Sequence, residues 1–354
     1  MVKRAAVVGG GIGGLTAAVG LRAAGWDVTV YERADAPPTT GTGLGIWPSA
    51  LRALDGLGIG GRVRAAGLPQ GNGAIRRPDG SRIVALDMDA VTARHGEPVH
   101  LVARPALLGV LHAALPAGVV RFGVPVGDVT ALRAEHDLVV AADGIGSRIR
   151  TALYGERHGL RYTGATVWRG TADLDTDTGG ETWGVGARFG VTPQGPGRTN
   201  WYAVVTAPEH HQPALPAPDE LRRIFGGWHD PIPAVLDRYA TSGVIRHDLH
   251  HLAPALPSYV HGNVALLGDA AHAMTPDLGQ GACQAVIDGA VLAECLADGD
   301  VPAGLREYDR RRRRPTQRMA ATSLLVNRMS QARRFLPLRD LVLRTALTLG
   351  GPPA

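Results

Sequence analysis

Residues 4–32 read RAAVVGGGIGGLTAAVGLRAAGWDVTVYE, and this stretch sets the fold class. Arg4 to Val8 is a short apolar run of strand type, Ile12 to Ala24 has the make-up of a buried helix ended by Gly25, and Asp27 to Tyr31 is a second strand. The order predicts a βαβ unit. In its first turn Gly9, Gly11 and Gly14 keep the G-x-G-x-x-G spacing, and Glu32 follows Gly14 after seventeen residues, at the end of the second strand. Gly9 permits the tight turn, Gly11 lets the backbone approach a pyrophosphate, and Gly14 lets the helix lie against the strand, while the helix N-terminus meets the phosphate charge. Ile12 and Gly13 belong to the same turn, and Arg33 follows the acid. Glu32 can accept hydrogen bonds from a ribose, which a 2′-phosphate would forbid, so NADP is disfavoured in this slot. FAD and NAD both satisfy the pattern at this point.

The rest of the composition narrows the class. A 354-residue chain that is 45% hydrophobic can bury a large core as one elaborate domain or two joined ones. The formal charge of +5 is carried almost wholly by arginine, Lys3 being the only lysine, and it is too diffuse to imply nucleic acid as a partner. The dense run Arg310 to Arg314 reads as a solvated, salt-bridged helix face. Cys283 and Cys295 fit no metal spacing and no disulfide framework, which points to a reducing, cytoplasmic setting. Lys3-Arg4 before an apolar run imitates a secretory signal, but five glycines between Gly9 and Gly14 suit a nucleotide turn better. No stretch approaches the roughly 18 apolar residues of an integral membrane segment. The pairs His210-His211 and His250-His251 lack regularly spaced acids, so no metal site is expected.

Two later motifs concern the cofactor. Asp137 to Ala142 reads as a buried strand ending in Asp143-Gly144-Ile-Gly-Ser-Arg148. Asn263 to Leu267 reads as another, running into Gly268-Asp269-Ala-Ala-His272, after which Pro276-Asp-Leu-Gly279-Gln280-Gly281-Ala282 opens a helix reaching Leu296. All lie where strands end and helices begin, the edge along which an open parallel sheet binds its ligand. Asp269 can hold a ribityl hydroxyl, and the N–H groups after Gly279 can face the edge of an isoalloxazine ring that becomes anionic on reduction.

Taken together, the motifs resemble the FAD monooxygenase family that includes para-hydroxybenzoate hydroxylase and urate hydroxylase, over Val2 to about Arg318. The resemblance implies that Gly9, Gly11, Gly14 and Glu32 carry the adenosine half of FAD, Asp143 and Gly144 serve both FAD and NAD(P)H, and Gly268 and Asp269 hold the riboflavin part. It assigns Pro276 to Gly281 to the flavin-ring loop. Arg104, opening the helix Pro105 to Ala114, is expected at the cofactor, as are Gly45 in the segment Gly41 to Pro48 and Val126. Departures from the family pattern are Ser49 for a frequent Asn, Ile287 for the Glu before Asp288, and a short connection from Val124 to Asp137 without a hairpin. None removes an expected ligand.

From Arg161 to Leu252 the pattern changes to alternating segments, Tyr162 to Asp173, Thr182 to Val191 and Asn200 to Thr206, that read as an antiparallel sheet. Gly73 to Val91 adds a hairpin, and Pro218 to Gly227 a short helix. The expected fold is therefore α/β with α+β elements. A Rossmann-like FAD-binding domain (1–72, 98–160 and 253–318) interleaves with a smaller antiparallel-sheet substrate domain (73–97 and 161–252), followed by a C-terminal helical tail (319–354). Arg169, Arg188, Trp201 and Tyr202, with Trp168, form a set able to orient a planar, anionic substrate. Aromatics in strands more often pack in cores, and arginines more often face water. Gly184, Gly186 and Gly190 fall on the side of Arg188 in a regular strand, leaving open space around that cation, with neither Glu181 nor Asp173 fixed opposite it.

The activity that the resemblance implies is hydroxylation or epoxidation of an electron-rich small molecule. NADH or NADPH visits transiently to reduce the flavin, and O2 adds to form a C4a-hydroperoxide. A halogenase on this fold would show a Trp-x-Trp-x-Ile-Pro motif and a catalytic lysine, and neither is available. An FAD reductase and a non-catalytic FAD-binding protein are the other competing readings.

Overall fold

The computed structural model describes residues 2–177, 179–239 and 244–350, so the last four residues of the expected tail, 351–354, lie outside the described residues. A six-stranded sheet forms the first layer, ordered Val260–His261, Val264–Leu266, Leu138–Ala141, Arg4–Val8, Asp27–Tyr31, Val120–Arg121. Its strands run parallel except for the edge strand Val260–His261. The parallel strands are short apolar runs because helices cover both faces, leaving no solvent side on which polar residues could alternate. Arg4–Val8 is buried from Ala5 onward, and Leu138–Ala141 throughout.

The helices Ile12–Ala23 and Gly281–Cys295 pack closely on one another. Small residues permit it: a Cβ on Gly20 would stand 2.5 Å from Ala293 Cβ, and one on Gly289 would stand 2.7 Å from Ala17 N. The N-terminus of each helix is thereby aimed along the same edge of the sheet.

A seven-stranded sheet forms the second layer, ordered Ile245–Ala253, Gly159–Ala172, Arg198–Thr206, Ala187–Gly195, Gly180–Trp183, Gly73–Arg76, Arg82–Leu86. It joins the hairpin Gly73–Leu86 to the rest as expected, with two differences. Thr182 to Val191 is not one strand but two, Gly180–Trp183 and Ala187–Gly195, paired antiparallel across a turn in which Gly186 has φ +66°. The sheet is also not wholly antiparallel, since Gly180–Trp183 runs parallel to Gly73–Arg76. A three-stranded antiparallel sheet, Gly43–Ile46, His100–Ala103 and Gly67–Pro69, was not legible in the sequence.

The C-terminal region folds as Val301–Ser330 and Leu336–Gly350. The first helix runs unbroken through Pro315 and through position 318. Its arginine run is not uniformly solvated. Arg310, Arg311 and Arg313 form surface pairs with Glu307, Glu294 and Asp309, whereas Arg312 is buried and donates to Asp288 Oδ1 at 2.6 Å and Gln284 Oε1 at 2.6 Å. One residue in four of a helix turns toward the core, which a run of like residues conceals.

Candidate active site

The glycine turn is built as the sequence implies. Gly9 has φ +109°, and a Cβ there would lie 2.2 Å from Ala142 O; one on Gly14 would lie 2.0 Å from Gly9 O. Gly11 differs, because a Cβ on it meets nothing within 4 Å, so its bare backbone faces open space. Gly11 caps the Ile12–Ala23 helix with no side-chain hydrogen bond and no acid in the first turn, which leaves the helix N–H groups free for an anion. Gly13 is a packing residue: its Cβ position is 2.6 Å from Leu267 Cδ1. Ile12 packs in the core against Leu15 and Val286. Glu32 is tied to the turn, its Oε2 accepting from Gly10 N at 2.6 Å and its Oε1 from Ala34 N at 2.9 Å. Arg33 is exposed at the rim, and Val126 is half-buried against the sheet core.

The two aspartate motifs meet at the same edge. Asp143 Oδ2 accepts from Ile149 N at 3.3 Å while its Oδ1 is buried without a partner among the described residues. Gly144 has φ +81° and open space beside it. Arg150, missed by sequence reasoning, is buried and donates to Ile145 O at 2.8 Å, Asp269 O at 3.3 Å and Ala270 O at 3.2 Å, so it locks the Asp143 and Asp269 turns together.

Below them Asp288 fixes Gly268, accepting from its N–H at 2.9 Å, from His272 Nε2 at 2.5 Å and from Arg312. Burial pushes the Asp288 carboxyl up, but His272 and Arg312 outweigh it and hold the group well below the usual carboxylate range. Asp269 itself is exposed, yet its carboxyl is crowded by protein. That desolvation raises its carboxyl above the ordinary value against the pull of His272, Arg104 and Arg150. A poorly solvated carboxylate with open access suits hydroxyl donors such as a ribityl chain.

The flavin-ring segments are joined by one cysteine. Cys283 Sγ donates to Gly45 O at 3.2 Å, and Trp47 N donates to Cys283 Sγ at 3.4 Å. Trp47 Nε1 is 3.9 Å from the Cβ position of Gly45 and 3.8 Å from that of Gly279, which has φ +62°. Pro276 and Gly279 are exposed, Gln280 is buried, and Gly281 opens the helix Gly281–Cys295 with Ala282 behind it and no acid in the first turn. Arg104 is exposed at the start of Arg104–His112, its N–H bonded to Thr42 O at 3.1 Å. The glycine turn, the Asp143 and Asp269 turns and the ring segments form one continuous edge. Its bare helix termini, the void at Gly11 and the orphaned Asp143 Oδ1 fit an extended dinucleotide.

Strand alternation sorts the substrate candidates. Arg169 pairs in register with Tyr202, and Tyr202 with Gly190, so Arg169, Tyr202 and Arg188 share one face; Trp168 and Trp201 share the other. Trp201 is therefore a core residue, fully buried and stacked on Phe189 at 5.8 Å, and it does not orient a substrate. The expected open space around Arg188 is filled as well, by Tyr202 over Gly190 and Trp228 against Gly184.

Nor does Arg188 lack a protein partner. Only 1% exposed, it pairs with Glu181 at 3.2 Å and with Asp277 at 2.9 Å, and its guanidinium lies 5.8 Å from the Tyr202 ring centroid. Tyr202 donates its hydroxyl to Glu181 Oε1, and Trp183 Nε1 donates to Glu181 Oε2 at 2.5 Å. Burial and the Glu181 charge push the Tyr202 phenol far above its ordinary pKa. Burial pushes Asp277 up and Arg188 opposes it. Arg169 is half-buried beside His247 Nε2 at 3.2 Å. Asp277 stood inside the Pro276–Gly281 motif, but its pairing with a strand ninety positions earlier had no local signal. A second seam, from Gly43 N to Asn200 Oδ1 at 2.9 Å, was missed for the same reason.

Fold and site thus define a nucleotide-binding protein, with a mostly parallel sheet whose edge suits a dinucleotide and a second, mixed sheet joined to it. The chain belongs to the FAD binding domain family, whose pattern matches residues 3–323. It is 40% identical to the aurachin C monooxygenase/isomerase of Stigmatella aurantiaca over 85% of this chain and 83% of that one. To the FAD-dependent urate hydroxylase of Klebsiella pneumoniae subsp. pneumoniae it is 32% identical, over 87% of this chain and 85% of the relative. The solved structure of Klebsiella pneumoniae HpxO complexed with FAD and uric acid superposes with a TM-score of 0.88 at 27% identity, covering 97% of this chain and 93% of that one. The protein is an FAD-dependent monooxygenase of the single-component aromatic-hydroxylase type, and the resemblance drawn from its motifs holds. Among the described residues no helix is long and apolar enough to cross a membrane, and no group of His, Cys, Asp and Glu could hold a metal ion.

Proposed function

We propose that this enzyme uses NADH or NADPH and O2 to hydroxylate or epoxidise a planar, electron-rich aromatic molecule at the junction of the two sheets, as a cytoplasmic flavoprotein. The division into FAD-binding segments 1–72, 98–160 and 253–318 and substrate segments 73–97 and 161–252 is part of this reading. The observation that carries it is the buried chain Tyr202–Glu181–Arg188–Asp277, which ties the substrate-side sheet to the segment expected at the flavin ring. FAD, when bound, supplies the electron relay from the nicotinamide and the transfer of one oxygen atom from O2.

The chain's own residues supply binding and order. Gly9, Gly11, Gly14 and Glu32 take the adenosine half, Asp143, Gly144 and Asp269 the middle, and Gly45, Arg104, Pro276 and Gly279 to Ala282 the ring. Tyr202, its hydroxyl hydrogen directed to Glu181, presents oxygen lone pairs that can accept a hydrogen bond from an acidic O–H or N–H of the substrate. Arg188 pairs with both Glu181 and Asp277 and, through Glu181, steers that hydroxyl, so it positions Tyr202 instead of gripping the substrate. Arg169, bonded among the described residues to a histidine and with no partner there for its Nε, is the cation of this face best able to pair with an anionic substrate.

The test is to follow NADH and NADPH oxidation in air by the yellow holoprotein while phenols and heteroaromatic compounds are screened, with 18O2 supplied for the active ones. The reading requires stimulation by substrate and one labelled oxygen in the product. Turnover without label would make it a reductase, a halide requirement would make it a halogenase, and a protein that never takes up FAD would end the reading.

A further inference from the structure

The C-terminal helices carry a surface that the reaction does not use. In Leu336–Gly350 the buried face is Leu336, Arg339, Asp340, Leu343 and Leu347, in helical register, and it packs on Arg82–Leu86 and Trp183. The opposite face is also apolar: Leu338 and Leu341 are each 59% exposed and Val342 45%. A helix apolar on both faces but covered on one has, among the described residues, no partner for the other. Immediately before it Phe335 is 79% exposed and held at φ +56°, a backbone region that disfavours a bulky residue and here turns the ring outward.

The chain leading into this apolar face is strongly basic, with Arg333 and Arg334 immediately before Phe335. From Arg310 to Leu347 the sequence holds eleven arginines and a single acid, Asp340, which is buried between Arg77 and Arg339. Arg314, Arg318, Arg328, Arg333 and Arg334 are exposed and form no ion pair among the described residues. Arg314, Arg318 and Arg328 line one stripe of Val301–Ser330 with Leu325, itself 58% exposed. Two copies meeting through this face by a twofold axis would set these arginines against each other.

We propose that this face docks the enzyme on an anionic lipid bilayer, with Phe335, Leu338, Leu341 and Val342 entering the interface and the arginines meeting lipid phosphates. An apolar ridge framed by unpaired cations is the pattern of an interfacial helix that lies on a membrane without spanning it. The helix is tied, through its covered side and the residues just before it, to the substrate-side sheet. Ala332 O accepts from Gly186 N at 3.3 Å, and Arg339 donates to Gly184 O at 2.9 Å, in the turn between the Glu181 and Arg188 strands. Docking would hold that turn within reach of molecules dissolved in the bilayer.

The test is flotation of the purified full-length flavoprotein with vesicles of phosphatidylcholine alone and of phosphatidylcholine mixed with phosphatidylglycerol. The protein should float with the anionic vesicles at low salt and largely leave them at high salt. The variant L338S/L341S/V342S, yellow and melting as the parent does, should bind about 10-fold or more weakly. The variant R333Q/R334Q should lose about five-fold per arginine removed, and lose it on anionic vesicles only. Failure of the parent to float with anionic vesicles overturns the proposal, as does equal flotation of the apolar variant. A parent that is dimeric, does not float, and becomes monomeric in the apolar variant assigns the face to a second copy instead. None of these outcomes bears on FAD binding or oxygen transfer.

Discussion

Arg188 is the residue on which the two sheets turn. Its removal leaves Asp277, whose side chain is fully buried, without a countercharge. Arg188→Ala should therefore lower the unfolding free energy by about 3–5 kcal/mol in urea titrations, well beyond a surface arginine's worth. Replacing the pair together, R188M/D277L, should recover most of that stability, because a buried ion pair and a packed apolar pair of similar volume differ little. Oxidation of NAD(P)H in the double variant should still release hydrogen peroxide in place of product, since Tyr202 and Glu181 have lost their positioning cation. Full coupling there would reduce Arg188 to a structural role.

His247 gives a second, independent readout. Burial first, then the Arg169 charge, lower its pKa from 6.5 to about 4. The folded protein thus resists a proton that the unfolded chain accepts, and His247 contributes stability that is full above pH 6.5 and lost as pH falls toward 4. The melting temperature of the parent minus that of His247→Gln should accordingly drop between pH 7 and pH 4. A difference independent of pH would mean that His247 is not held in a buried, uncharged environment.

Among the elements, the helix Ile12–Ala23 separates two uses of glycine that look identical in sequence. Gly14 touches the strand end through Gly9 O, so Gly14→Ala must push helix from sheet, and overpacking of this kind costs about 1–3 kcal/mol or more. Gly11 faces open space, at φ −78° that any residue adopts. Gly11→Ala should leave the melting temperature of the FAD-free protein unchanged and weaken FAD binding, measured by flavin fluorescence on titration. Equal destabilisation by both substitutions would show that the space at Gly11 is not a cofactor cradle.

For the molecule as a whole, the FAD edge gathers residues from both ends of the chain, with Arg150, Asp288 and Cys283 as the ties. A ligand spanning that edge stabilises all of it at once. Free FAD at a thousand times its Kd should add about 4.1 kcal/mol to the stability of stripped protein, raising its melting temperature in proportion to the logarithm of FAD concentration. A melting temperature indifferent to FAD would mean that the edge is not where FAD binds.

The sequence by itself determined the βαβ unit, the glycine and aspartate turns at the strand ends and the change to alternating strands, because glycine turns, capping positions and strand or helix periods are local properties carried within about thirty residues. It even named Arg188, Tyr202 and Arg169, since their types stood out in their segments. Only the tertiary structure decided what each of them faces. Register turned Trp201 into the core and Tyr202 into the cleft, and chain crossing set Asp277 opposite Arg188 and Asp288 beneath Gly268. Pairings over such separations depend on how the sheets pack, and no short-range pattern along a single chain encodes them.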